Sequence, residues 1–99
     1  MKLWIDDVRS APEGYEWIKT VNSAKYYIEA GTSCGETIEV IDIDHDAGNY
    51  AIYGGDYIKL LDWLEETGRN YPIHIHSQNV VGRMNMERIC HRNNWTIVP

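Results

Sequence analysis

The chain has 99 residues, a formal net charge of −6 and 43% hydrophobic residues, with four Trp and seven Tyr. That is one domain with enough apolar material for a packed core, which excludes a disordered chain. The acidity excludes an electrostatic grip on long duplex DNA, and no apolar run approaches the roughly 20 residues of a membrane span.

Charge arrives by Asp6-Asp7, too early for a signal peptide, and Cys34 and Cys90 form no CxxC pair. The expected setting is therefore cytoplasmic, with both thiols reduced and Cys90 packed. Residues 1–99 are read as one domain.

In chain order, Lys2-Leu3-Trp4-Ile5 reads as a short buried strand ending at Asp6-Asp7, and Arg9 to Gly14 is loop. Tyr15 to Val21 reads as a second strand. The link of about eight residues is too short for a crossover helix but reaches roughly 27 Å when extended. The second strand is thus either parallel, fed by a bare loop, or antiparallel. Asn22 or Ser23 is positioned to cap a helix to about Ala30, with Ala24, Tyr27 and Ile28 on one face and Gly31 as its stop. Ile38 to Ile43 is a β-branched run and hence a strand.

Tyr57, Leu60, Leu61 and Leu64 then fall at i, i+3, i+4 and i+7 of a helix that Asp56 caps and Gly68 ends. Ile73 to His76 follows Pro72 as a strand. A helix over about Val80 to His91 turns Val81, Met84 or Met86, Ile89 and Cys90 inward, and Trp95 to Val98 is a last strand. The order β-β-α-β-α-β-α-β predicts a three-layer, mostly parallel α/β sheet.

Ligands of such sheets bind beyond the carboxyl ends of the strands. Three strands end there in polar residues: Asp6-Asp7, Asp44-His45-Asp46 and His76-Ser77. Asp6, Asp7 and Asp44 in one pocket resist joint ionisation without a cation, and carboxylate oxygens suit Mg²⁺ or Mn²⁺. The alternative is that Asp6 and Asp7 cap a turn and pair with Arg9.

His45, between two acids, is either a general acid or base oriented by a carboxylate such as Asp46, or an exposed loop histidine. His74 and His76 share a strand face, either as an H-x-H zinc pair or, as favoured here, as one core imidazole and one site residue, His76. Asp42 inside an apolar strand needs a partner, for which His74 is the expected choice. Ser77 and Asn79 offer donors to a phosphoryl oxygen, Gly82 lies near a helix N-terminus suited to anions, and Arg9 is the candidate phosphate fork. Tyr50 and Tyr53 are read either as a lid that stacks on a base or as packing.

At these residues the chain resembles the receiver-like family named for cyclic-phosphate processing. The pattern stands here as Asp6-Asp7-Val8-Arg9, Asp44-His45-Asp46-Ala47-Gly48, and His76-Ser77-Gln78-Asn79-Val80-Val81-Gly82 through Met86. The resemblance spans nearly the whole chain and implies a flavodoxin-like receiver core. It places Asp6, Asp7 and Asp44 where receivers bind Mg²⁺ and accept a phosphoryl group, and Ser77 where they carry Ser or Thr. Two departures stand out: the first helix is missing, and Trp95 to Pro99 supplies no lysine after the last strand. The expected function is a metal-dependent phosphoesterase acting on a cyclic phosphate of RNA ends or nucleotides, in which His45 and His76 shuttle protons, with a phosphate-bearing small molecule or RNA end as partner. The alternatives are a non-catalytic nucleotide binder that signals to a partner, and a reduced phosphoacceptor modified on Asp44. The oligomeric state is open.

Overall fold

A computed structural model describes residues 1–99. Four strands, β1 (Lys2–Ile5), β2 (Tyr15–Ile18), β3 (Val40–Ile43) and β4 (Ile73–Ile75), form a sheet in the order β2-β1-β3-β4 with every pairing parallel. The second strand is therefore the parallel one, delivered by a bare loop. Helices α1 (Val21–Ser33), α2 (Ile58–Glu66) and α3 (Val80–Arg92) follow β2, β3 and β4, and a 3-10 helix spans Gly48–Tyr53. This is a receiver-like α/β fold without its first helix.

The layering corrects the three-layer expectation. From β2 onward each crossover steps across the sheet in one direction, and right-handed connections then put every helix on the same face. That face holds Leu3, Ile5, Ile18, Ile41, Ile43 and Ile73, all at most 1% exposed, in one core with Leu60, Leu61, Leu64, Met86 and Cys90. The alternate residues Lys2, Trp4, Tyr15, Trp17, Val40 and Asp42 point to the other face. The β1–β2 step, which would cover that face, contains no helix. The domain has two layers, and no helix covers that aromatic sheet face.

Several local expectations shift for identifiable reasons. β2 stops at Ile18, because Thr20 takes the cap of α1 by accepting the Ser23 N–H at 3.0 Å, in place of Asn22 or Ser23. Gly31 does not stop α1, which runs on to Ser33. A Cβ at Gly31 would lie 2.1 Å from Met1 Cε, so this glycine makes room for the N-terminal residue. Tyr27 is 38% exposed and not part of the inner face. Ile38 is buried but precedes β3.

Asp56 does not cap α2, whose cap is Tyr57; the Asp56 carboxylate accepts the Ala47 N–H at 3.0 Å. In α3 the buried stripe is Gly82, Met86, Ile89 and Cys90, whereas Val81 and Met84 are exposed, because the Asn79 cap sets the helix phase. The last strand is reduced to one parallel bridge, Ile73 with Ile97. Buried Cys90 has its thiol pKa pushed up to about 11 by burial first and by Glu87, as a packed thiol should. No helix is long and apolar enough to cross a membrane.

Candidate functional site

The parallel pairing of β1 with β3 sets Asp6-Asp7 beside Asp44, because both strands run out at the same sheet edge. One carboxylate oxygen from each of Asp6, Asp7 and Asp44 lies within 4.8 Å of the others. These three expected ligands are thus brought together.

Asp6 is fully buried and fixed. Its Oδ1 accepts the Val8 and Arg9 N–H groups, each at 2.9 Å, and its Oδ2 accepts from His76 Nε2 at 2.8 Å. The turn-capping alternative therefore holds for Asp6, but through backbone amides; Arg9 is exposed and forms no ion pair. Burial alone would raise the Asp6 pKa, but the Arg9 and Val8 amides and then His76 outweigh it and leave it lowered. Asp7 goes the other way: burial first, then the charges of Asp6 and Asp44, raise its pKa despite its own backbone amide. No hydrogen-bond donor from another residue meets Asp7, and Asp44 uses only Oδ1, toward the His45 N–H at 2.8 Å. Crowded carboxylate oxygens, with Asp44 Oδ2 and the Asp7 carboxylate left without a donor from another residue, are the ligand set a hard divalent cation takes, so the residues fit Mg²⁺ or Mn²⁺.

His76 is clamped from both sides. Its Nδ1 lies 2.6 Å from Asp42 Oδ1 and its Nε2 2.8 Å from Asp6 Oδ2, while its ring stacks on Trp4 at 4.0 Å between centroids and 3° between planes. Two acceptors on one ring require two N–H donors, hence an imidazolium. Burial pushes the ring toward neutrality, but the hydrogen bonds to Asp42 and Asp6 prevail and raise its pKa. Both nitrogens are committed, so this geometry makes His76 a strut for Asp6 and leaves no free nitrogen to shuttle protons. The partner of Asp42 is accordingly His76. His74 stands 4.0 Å away and bonds Val98 O through Nδ1 at 2.9 Å, so the two histidines are no zinc pair.

His45 has the opposite arrangement. Nδ1 bonds Asp46 Oδ1 at 2.8 Å, and Nε2 has no protein partner. Asp46 also accepts from Asn79 Nδ2 at 3.3 Å, and Asn79 Oδ1 accepts the Gly82 N–H at 2.9 Å. The Asp46 pKa is lowered, by His45 first and by Asn79 against burial. At Gly82 a Cβ would come within 2.5 Å of the His45 ring. Asn79 and Gly82 therefore seat the His45–Asp46 pair; the Gly82 amide is already used by the cap and is not free for an anion.

Gly82→Ala is expected to displace the imidazole while α3 survives, since alanine is the better helix former. The histidine NMR signals should then shift at His45 with the melting temperature changed by only a few degrees.

Ser77 is 1% exposed, its Oγ accepts the Asn79 N–H at 3.1 Å, and its carbonyl accepts from Arg83 Nη2 at 2.6 Å. It braces the turn into α3. Gly48, at φ 55°, carries the loop over the acids; a Cβ there would stand 2.5 Å from Asp7 Oδ2. Tyr50 packs on the core, whereas Tyr53 is 51% exposed, so the two tyrosines divide between packing and rim.

Three supporting residues escaped the sequence reading. Trp4 Nε1 donates to Arg9 O and Trp17 Nε1 to Asp6 O, each at 2.8 Å, which pins the bare loop. Buried Tyr57 donates its hydroxyl to Lys19 O at 2.8 Å beneath the acids. Its phenol pKa is raised by burial first and then by Asp7, Asp6 and Asp44. The only signal for Trp4 was its position two residues before Asp6 on an alternating strand. A cavity of about 340 Å³ on the helix-free face, lined by Lys2, Tyr15, Val40, Asp42, His74 and Val98, shares only Asp42 with this constellation. The charged groups converge at the strand ends, away from that cavity.

A family model described as the cyclic-phosphate processing receiver domain matches residues 1–92. No curated protein and no solved structure matches the chain.

Proposed function

The chain belongs to the family of cyclic-phosphate processing receiver domains, and on that premise we propose that it is a metal-dependent phosphoesterase opening a cyclic phosphate of an RNA end or a nucleotide. The observation that carries this reading is the meeting of two unlike units at one rim. One is the crowded carboxylate trio of Asp6, Asp7 and Asp44, and the other is a histidine with one free nitrogen.

A divalent ion held by the trio would neutralise and polarise the phosphoryl group. The protein's own part is proton handling and positioning. With Nδ1–H given to Asp46, His45 presents its Nε2 lone pair as a base. Nε2 takes a proton from the attacking water as the new P–O bond forms. The endocyclic P–O bond breaks, and the released sugar oxygen receives that proton back from His45. Asp46 steadies the transient imidazolium. His76 keeps Asp6 ionised and aimed, and Arg9 lies free at the rim to meet a phosphate oxygen.

The test is a panel of 2′,3′-cyclic and 3′,5′-cyclic nucleotides and of oligonucleotides ending in a cyclic phosphate, each with Mg²⁺ and Mn²⁺. Turnover of at least one is expected, abolished in Asp44→Asn and reduced about 10²- to 10⁴-fold in His45→Gln. Binding with every substrate recovered intact would instead favour the non-catalytic module, and a stable adduct on Asp44 from acetyl phosphate would favour the phosphoacceptor.

A further inference from the structure

We infer that Lys19, at the exit of β2, is the cation that receives the phosphate on the side of the acidic pocket facing Trp17 and Tyr50. The inference rests on the phosphate-directed reading of the site and adds a residue to it.

Three carboxylates facing one divalent ion leave the pocket net negative, so a phosphate approaching it needs positive charge from the rim. Arg9 is one such source. Lys19 is the other, and it is held in place. Its Nζ lies 4.4 Å from the centroid of the Trp17 ring and 5.8 Å from that of Tyr50. It forms no ion pair, although the domain carries fifteen acidic residues.

Both aromatic supports are tied to the acids. Trp17 Nε1 bonds Asp6 O, and Tyr50 N bonds Ala47 O in the loop whose Gly48 abuts Asp7. The backbone of Lys19 is fixed as well, since its carbonyl accepts the hydroxyl of Tyr57, the phenol that lies beneath the same carboxylates. An ammonium on aromatic faces is partly stripped of water and has no anion to give up. It exchanges weak cation–π contacts for a charge-assisted hydrogen bond when a phosphate arrives. In this protein Trp17 is therefore both a pin for Asp6 and a parking place for Lys19.

The exchange has a spectroscopic signature. With ¹⁵N-labelled protein and saturating Mg²⁺, titration with inorganic phosphate should shift the Trp17 indole signal as Lys19 leaves the ring. In Lys19→Met, phosphate affinity is expected to fall about tenfold and the Trp17 shift to vanish, whereas Lys19→Arg restores much of the affinity. The Trp95 indole signal should stay put in all three proteins, reporting an intact fold. Unchanged phosphate affinity in Lys19→Met would overturn the assignment of Lys19 alone. Absence of any Mg²⁺-dependent phosphate binding in the unsubstituted protein would overturn both the assignment and the reading of the site.

Discussion

Removing the His76 ring, as His76→Ala, is expected to destabilise the domain by about 3–5 kcal/mol, because it strands two buried carboxylates that now share one cation. Asp6 is fully buried and Asp42 is 8% exposed, and neither has another positively charged partner within 2.8 Å. In a domain this size a loss of 1 kcal/mol lowers Tm by about 4–8 °C, so the variant should melt at least 12 °C earlier, by that ~3 kcal/mol minimum. Urea unfolding monitored by tryptophan fluorescence measures it. A loss below ~1 kcal/mol would mean that the clamp does not support the fold.

The same clamp sets the pH dependence of stability. The His76 pKa is raised in the fold, so its contribution is complete below the ordinary histidine value of about 6.5 and lost as pH rises through the folded value. The Asp6 pKa is lowered, so its contribution is complete above the ordinary aspartate value of about 3.9 and lost as pH falls through the folded value. Stability contributed by the clamp should therefore plateau between the two, and His76→Gln should flatten the alkaline limb.

Asp7→Asn should do the reverse of most site substitutions: raise stability while removing function. Burial and the charges of Asp6 and Asp44 raise the Asp7 pKa, so its ionisation opposes folding as pH climbs past the ordinary aspartate range. The amide removes that opposition, and Tm in metal-free buffer at neutral pH should rise. Mn²⁺ affinity should fall by about 100-fold or more, since a lost ligand costs at least what a lost supporting hydrogen bond does. Calorimetric titration and thermal melts in the presence of a chelator supply both halves. A variant that is less stable without metal would contradict the crowding of charge on which the pocket depends.

Much of the site was legible because strand ends are legible. Short β-branched or aromatic runs ending in Asp6-Asp7, Asp44-His45-Asp46 and His76-Ser77 fix which residues reach the sheet edge, and parallel pairing then brings the acids together. The roles within the site were less legible, since they depend on angles that spacing does not encode. Asn79 and Gly82 looked like phosphate ligands, yet one caps α3 and holds Asp46, and the other leaves room for the His45 ring. His76 looked like a proton carrier until Asp42, one turn of the pleat away on the neighbouring strand, proved to occupy its second nitrogen.

The missing layer has a similar cause. Helix periodicity gives the number of helices, but only the strand order β2-β1-β3-β4 with right-handed crossovers assigns them all to one face. Cap phase explains the remaining shifts: Thr20 and Asn79 accept the N–H groups three residues on, and each choice rotates the buried stripe.

The most direct measurement is a crystal soaked in Mn²⁺ and examined by anomalous scattering. One peak coordinated by oxygens of Asp6, Asp7 and Asp44, with His76 still bridging Asp6 and Asp42, is the predicted outcome. Manganese bound elsewhere on the surface, or acids turned outward to separate partners with no ion between them, would contradict it.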